Sequence, residues 1–125
     1  VKSMTDGKGA DVIYDPVGGD VFDQSLRCIA WEGRLLVIGF TSGRIPSAPA
    51  NLALLKSCAI VGVFWGAFVE RTPHLNLENF DKLYEWIEAG YIKPRISMKV
   101  PLEKTLDAMK AIAKREIIGK AIVKI

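Results

Sequence analysis

The chain has 125 residues, half of them hydrophobic and a quarter charged, with 17 Lys and Arg against 14 Asp and Glu for a net charge of +3. That length buries a real core within one domain. The basic residues are scattered with no aromatic-spaced stripe, which argues against a nucleic-acid partner, and no apolar run is long enough to span a membrane.

In chain order, "VKSMTDGKG" reads as the end of a helix stopped by Gly7 and Gly9. A helix that is all tail leads us to expect a piece of a larger protein. "ADVIYDPVGGD" predicts a short apolar strand over Asp11–Tyr14, broken by Pro16 and the pair Gly18-Gly19. Asp20 is expected to cap a helix running to about Ala30, with Phe22, Leu26, Ile29 and Ala30 on one face. "WEGR" turns the chain into a strand over Leu35–Ile38, and "TSGRIPSAPA" is a loop with two prolines. "NLALLKS" reads as one or two helical turns started by Asn51, and "AIVGVFWG" as a third strand, apolar on both faces.

A further helix is predicted from Asn76 to about Ala89, with Phe80, Leu83, Tyr84 and Ile87 as its inward stripe and Gly90 as its stop. "YIKPRISMKVP" is extended, Leu102–Lys114 is a helix with Leu102, Leu106, Met109 and Ala113 on one face, and "GKAIVKI" closes the chain as a strand. Continuous aliphatic strands alternating with amphipathic helices favour a parallel sheet covered on both sides.

Ligands of open parallel sheets lie outside the carboxyl ends of the strands. Three such ends are expected at Asp15–Gly19, Gly39–Gly43 and Phe64–Gly66, each with a glycine where strand gives way to loop. The stretch "RLLVIGFTSG" poses the question most sharply, because its strand stops on Gly39-Phe40 and not on a charged cap. Other chemistry is missing from the sequence. "GKGADV" lacks the third glycine of a dinucleotide fingerprint and precedes its strand, and Gly119-Lys120 is followed by Ala121, so no phosphate loop is present. His74, in "TPHLN", reads as an exposed loop residue, and with two separated cysteines it makes no metal cluster. Asp15 and Asp20 are explained as a turn aspartate and a helix cap. No serine sits in a G-x-S-x-G turn. Cys28 and Cys58 read as free buried thiols of a reducing compartment, and with no secretory leader in the sequence we expect a cytoplasmic location.

"GADVIYDPVGGDVFDQSLRCIAWEGRLLVIGF", then "PANLALLKSCAIVGVFWGAF" and "PLEKTLDAMKAIAKREIIGKAIVKI", resemble the C-terminal part of a medium-chain dehydrogenase/reductase of the NADPH:quinone oxidoreductase, or zeta-crystallin-like, branch. The likeness covers essentially the whole chain. It implies an α/β fold: the C-terminal half of a Rossmann-type doubly wound parallel sheet with flanking helices, over residues 1–92, followed by a helix-strand tail over 93–125 that returns to the catalytic domain. It implies hydride transfer from NADPH to a quinone or related electron-poor substrate without zinc. The 125 residues alone are expected to be inactive, because the pyrophosphate-binding half of the site lies upstream in relatives.

By the same resemblance the nicotinamide ring lies across the strand ends, its carboxamide bonded to main-chain groups. Gly39, without a Cβ, lets the ring approach. Ile38, Gly39 and Phe40 resemble the cofactor-contacting strand end, Val17 and Gly18 the segment beside the nicotinamide ribose, and Val63, Phe64 and Trp65 the segment closing over the carboxamide. Phe40 and Trp65 are candidates for the walls of a quinone pocket, with core packing as their ordinary alternative. A homodimer is expected through an edge strand at Ala59–Phe64. Two other readings stay open, a non-catalytic α/β dimerisation or nucleotide-binding module and a fragment of a zinc-dependent alcohol dehydrogenase.

Overall fold

A computed structural model describes residues 1–125, which form two compact units, Val1–Pro73 and His74–Ile125. The first begins with a 3-10 turn at Lys2–Met4, followed by β1 (Ala10–Asp15), α1 (Gly19–Cys28), β2 (Ile29–Val37), α2 (Ala50–Lys56), β3 (Ala59–Gly62) and α3 (Trp65–Arg71). Its sheet is parallel in the order β1-β2-β3. Asp15, Val37 and Gly62 stand in register across the three strands, so the residues after each strand leave from one edge.

Alternation along the strands decides which side is covered. Ile13, Leu35, Val37 and Ile60 face α1 and α2, where Phe22, Leu26, Ile29 and Leu35 form the buried core. On the opposite face Val12, Tyr14 and Val61 are exposed. The expectation of a sheet covered on both sides is thus met on one side only. Lys56 joins the two helices' ends, its ammonium donating to the carbonyls of Arg27 (3.2 Å) and Ile29 (3.1 Å), where a cation suits the negative end of the α1 dipole.

Five boundaries differ from those expected of the sequence. Helix α1 ends at Cys28, and the apolar Ile29 and Ala30 open β2 instead. "WEGR" does not separate helix from strand but bulges within β2, where pairing jumps from Ala10↔Ile29 to Val12↔Arg34 and Glu32 takes φ 57°. Asp20 is not the cap of α1: Gly18 holds that position, and the carboxylate of Asp15 serves the N–H groups ahead of the helix. Asn51 does not start α2, which Pro49 precedes. The third strand stops at Gly62, and Trp65 already belongs to α3, so the edge expected at Ala59–Phe64 is shortened to Ala59–Gly62.

In the second unit, α4 (Pro73–Glu88, all but its first residue) stops ahead of Gly90, and β4 (Ile96–Pro101) pairs in parallel with β5 (Lys120–Lys124) through the intervening α5 (Thr105–Ala113). The hydroxyl of Ser97 donates to the Ile118 carbonyl, and the N–H of Lys120 to that of Arg95, anchoring the return to β5. His74 lies in the first turn of α4, not in a loop. The stripe Phe80, Leu83, Tyr84, Ile87 forms on one face, with the Phe80 and Tyr84 rings 6.2 Å apart, but it is solvent-exposed and α4 buries no residue. On α5 the outcome is reversed: Leu102, Leu106 and Met109 are exposed, and the small residues Ala108 and Ala111 pack inward. Small side chains let a helix approach β4 and β5 closely, so apolar spacing alone misreads which face turns in.

Candidate functional site

Asp15 organises the first strand tip. It is almost fully buried, 2% exposed, and its Oδ1 accepts the N–H groups of Val17 and Gly18, each at 2.9 Å. Burying a carboxylate is costly unless it is hydrogen-bonded, and here two main-chain donors and the nearby N-terminus of α1 supply compensation. Its Oδ2 has no partner in the chain. The turn carries the main chain through Gly18 at φ 69°, a left-handed conformation that glycine adopts without strain. Space reinforces the choice: a Cβ on Gly18 would stand 2.8 Å from Cδ1 of Phe40. An aspartate followed by Pro-Val-Gly is a recognisable side-chain-capped turn, so this role was within reach of the sequence.

The second tip is laced onto the first. Ile38 donates its N–H to the Asp15 carbonyl (2.9 Å), Thr41 to Pro16 (3.2 Å) and Ser42 to Val17 (3.0 Å). Between β2 and β3 the last rung is the N–H of Val63 to the carbonyl of Val37, at 2.9 Å. In a parallel ladder the next rung would join the Gly39 N–H to the Val63 carbonyl. That bond is not made, and neither group is engaged by another atom of the chain. The ladder ends there, with a donor on one strand's end and an acceptor on the other's left without partners in the chain.

An open cavity of about 370 Å³ lies at this end of the ladder, lined by Val37, Ile38, Gly39, Phe40, Gly62, Val63 and Phe64. It thereby gathers five of the eight candidate residues: Ile38, Gly39, Phe40, Val63 and Phe64. Gly39 contributes room and not flexibility. A Cβ there would touch only the Pro16 carbonyl, at an ordinary 3.5 Å, and one on Gly62 would meet nothing within 4 Å. Val17 and Gly18 line a separate hollow of about 330 Å³ with Ser42 and Arg44. Trp65 lines a third, of about 280 Å³, in which its ring stacks on Phe68 at a centroid distance of 5.0 Å. Phe40 and Trp65 therefore do not share a cavity. The ring that shares one with Phe40 is Phe64, which is 79% exposed and also borders the Trp65 hollow.

Gly62, Phe68 and Arg44 line these hollows without a signal in the sequence. Gly62 lies inside the stretch that predicts the third strand, and nothing in the sequence singles out Phe68. The partners of Arg44, Asp20 and Asp23, are remote in sequence, and no local pattern signals the pairing. No group of three His, Cys, Asp or Glu side chains is placed to hold a metal ion, and Cys28 and Cys58 are free and half-buried. What the site offers is apolar walls, room at a glycine, and one unpaired main-chain donor and one unpaired acceptor among its lining residues. That suits the end-on recognition of a planar amide-bearing ring, because a primary carboxamide presents the complementary acceptor and donor.

The model of the zinc-binding dehydrogenase family matches residues 1–123. A quinone oxidoreductase-like protein 2 homolog of Nematostella vectensis is 46% identical over 124 residues, covering 98% of this chain and 34% of that protein. A quinone oxidoreductase of Pseudomonas aeruginosa is 32% identical over 126 residues, covering 98% of this chain and 38% of that protein. Among solved structures, a mycobacterial protein complexed with NADPH superposes with a TM-score of 0.82 at 25% identity, over 98% of this chain and 38% of that one. The chain thus spans about a third of the length of the relatives it matches.

Proposed function

Since the chain belongs to the zinc-binding dehydrogenase family, an oxidoreductase family, we propose that its strand-end cavity holds the nicotinamide end of NADPH for reduction of a quinone or a related electron-poor acceptor. The observation that carries this reading is the open rung: the Gly39 N–H and Val63 carbonyl stand unpaired at a cavity that the chain's own side chains leave free. Bound there, reduced nicotinamide would supply a hydride. The chain's part is to position and to keep water away. Gly39 and Val63 orient the carboxamide, Ile38, Phe40 and Phe64 give apolar walls, and Val17 and Gly18 border the ribose. Trp65, in its adjoining hollow, completes the closing segment.

NADPH in preference to NADH, and a quinone in preference to another acceptor, are taken into this proposal from the relatives' names and the NADPH-bound neighbour. Transfer without zinc is carried into the proposal from the resemblance to the quinone oxidoreductase branch. Residues 1–92 are proposed as half of the dinucleotide-binding domain and 93–125 as the return segment of a catalytic domain, in a cytoplasmic protein. No helix is long and apolar enough to cross a membrane.

The test is a titration of the isotopically labelled chain with reduced nicotinamide mononucleotide, which needs no pyrophosphate cradle beyond these residues. Amide resonances of Gly39, Phe40, Val63 and Phe64 are expected to shift together, with affinity in the millimolar range typical of a small fragment of a ligand, a few kcal/mol of binding at most (about 4 kcal/mol at 1 mM). Shifts confined to other residues, or none at saturating ligand, would remove the cavity from consideration.

A homodimer forms part of the same proposal. Strand β3 lies at an edge of the sheet, and Val61 is exposed upon it. Two copies joined antiparallel about a two-fold axis along Ala59–Gly62 satisfy both free edges at once. Sedimentation is expected to give a dimer for the native chain and a monomer for Val61→Lys; a native monomer at high concentration would rule the pairing out.

A further inference from the structure

The loop Thr41–Arg44 is tied down along its length. Besides the Thr41 and Ser42 N–H bonds to the Pro16 and Val17 carbonyls, the Gly19 N–H donates to the Arg44 carbonyl at 3.1 Å. The Thr41 hydroxyl adds a bond to the Pro16 carbonyl at 3.2 Å. Ser42 stiffens the bend from inside, its hydroxyl accepting the Arg44 N–H at 3.3 Å and donating to the Arg44 carbonyl at 3.4 Å. At the outer end one guanidinium nitrogen, Nη2 of Arg44, bridges Asp20 (2.9 Å) and Asp23 (2.5 Å) on consecutive turns of α1. The hydrogen bond to Asp23 is the main cause that raises the proton affinity of the Arg44 side chain above its ordinary value.

This arrangement reaches the cavity through two neighbours. Phe40 immediately precedes the loop, and Gly18 packs so tightly against both that a Cβ there would come within 2.8 Å of the Phe40 ring and 3.2 Å of the Arg44 carbonyl. Where the loop goes, Phe40 must go, and with it the rim beside Gly39. The ionic part of the tie is weak by design of its surroundings. Arg44 and Asp23 are half-exposed and Asp20 is 88% exposed, and pairs so placed contribute little and respond to salt. The main-chain bonds hold the loop's shape, and the arginine bridge holds its outer end to α1.

We propose that Arg44 is a positioning residue: by bridging Asp20 and Asp23 it latches the Thr41–Arg44 loop onto α1, keeps Phe40 seated on Gly18 at the rim of the strand-end cavity, and releases that rim as ionic strength rises. The latch does not depend on what the cavity binds; only its second readout rests on the nicotinamide reading.

Amide hydrogen exchange on the whole chain tests it. Raising salt to about 1 M shrinks the screening length to about 3 Å. The Thr41 and Ser42 amides of the native chain are then expected to exchange about three- to fivefold faster, the order of gain from losing exposed ion pairs. Arg44→Ala should exchange fast at both salt levels, Arg44→Lys should restore part of the protection and of its salt response, and the Leu35 and Leu36 amides in β2 should stay as they are. Unchanged exchange at Thr41 and Ser42 in Arg44→Ala overturns the proposal. If that variant also loosens β2, Asp23→Asn, which keeps the arginine, decides in its place by the same two amides. In the second readout, the affinity for reduced nicotinamide mononucleotide should fall by a similar factor in Arg44→Ala and lose its salt dependence. If the native chain does not bind that probe at all, the cofactor reading fails while the exchange data still judge the latch.

Discussion

Gly39→Leu is expected to leave the fold standing and to weaken binding of reduced nicotinamide mononucleotide roughly ten- to hundredfold, the cost of about 1–3 kcal/mol for crowding the space the ring is proposed to fill. The two halves of that result come from one observation. A Cβ at this position meets only the Pro16 carbonyl at 3.5 Å, and the backbone there is not left-handed, so the chain accommodates a side chain. The branches of leucine would then extend into the cavity beside the unpaired N–H, where the ring is proposed to lie. Chemical-shift titration gives the affinity, and the urea midpoint gives stability. Undiminished affinity with an unchanged midpoint would show that the ring lies elsewhere. Glycine here is chosen for emptiness, whereas at Gly18 conformation and crowding both demand it.

Phe22→Ala is expected to cost about 3–5 kcal/mol of stability in the first unit, the range for removing a fully buried aromatic ring. Phe22 is 2% exposed and packs with Leu26, Ile29 and Leu35, and these four residues are the buried core that the sheet and α1 share. Against a typical net stability of about 5–15 kcal/mol, losing one of four such side chains is a large fraction. Urea unfolding followed by circular dichroism measures it. A shift below about 1 kcal/mol would mean that the helix-to-sheet contact is not what holds the unit together. The effect reaches the site as well, because α1 carries Asp20 and Asp23 and begins at the turn that Asp15 caps.

The fold was legible where a segment's burial is settled by its own neighbours. Leu35-Leu36-Val37 and Ala59-Ile60-Val61 read as strands because aliphatic and β-branched residues in short runs fit a pleated surface, and the parallel sheet followed from helices placed between them. Val63-Phe64-Trp65 carries the same preference, yet the ladder ends with the Val63 N–H and the chain turns into α3 at Trp65, beyond the end of β2 at Val37 where no paired strand continues. The stripe of α4 was read correctly as a stripe and wrongly as buried, because spacing reports which residues share a face and not what covers it. At the site, the strand tips were visible as glycines after apolar runs. The division of the aromatic rings was not, since whether Trp65 meets Phe40 or Phe68 depends on the direction in which the chain departs after Gly62. The Arg44 bridge was hidden for a related reason: it joins residues more than twenty positions apart that become neighbours only when α1 folds back along β2.

The bulge in β2 bears on how this chain tolerates insertions. Residues 30–33 are fitted opposite the single residue 11 of β1, but they are not slack throughout: Ala30 is wholly buried, and a methyl on Gly33 would come within 2.6 Å of Ile29. Only Trp31 and Glu32 reach solvent. An added residue at that crest would swell the bulge and leave Leu35 and Val37 aimed inward, whereas one added after Arg34 would turn every later side chain of the strand to the other face. Lengthening of the polypeptide is therefore buffered at the crest, well away from the edge where Gly39 and Phe40 emerge.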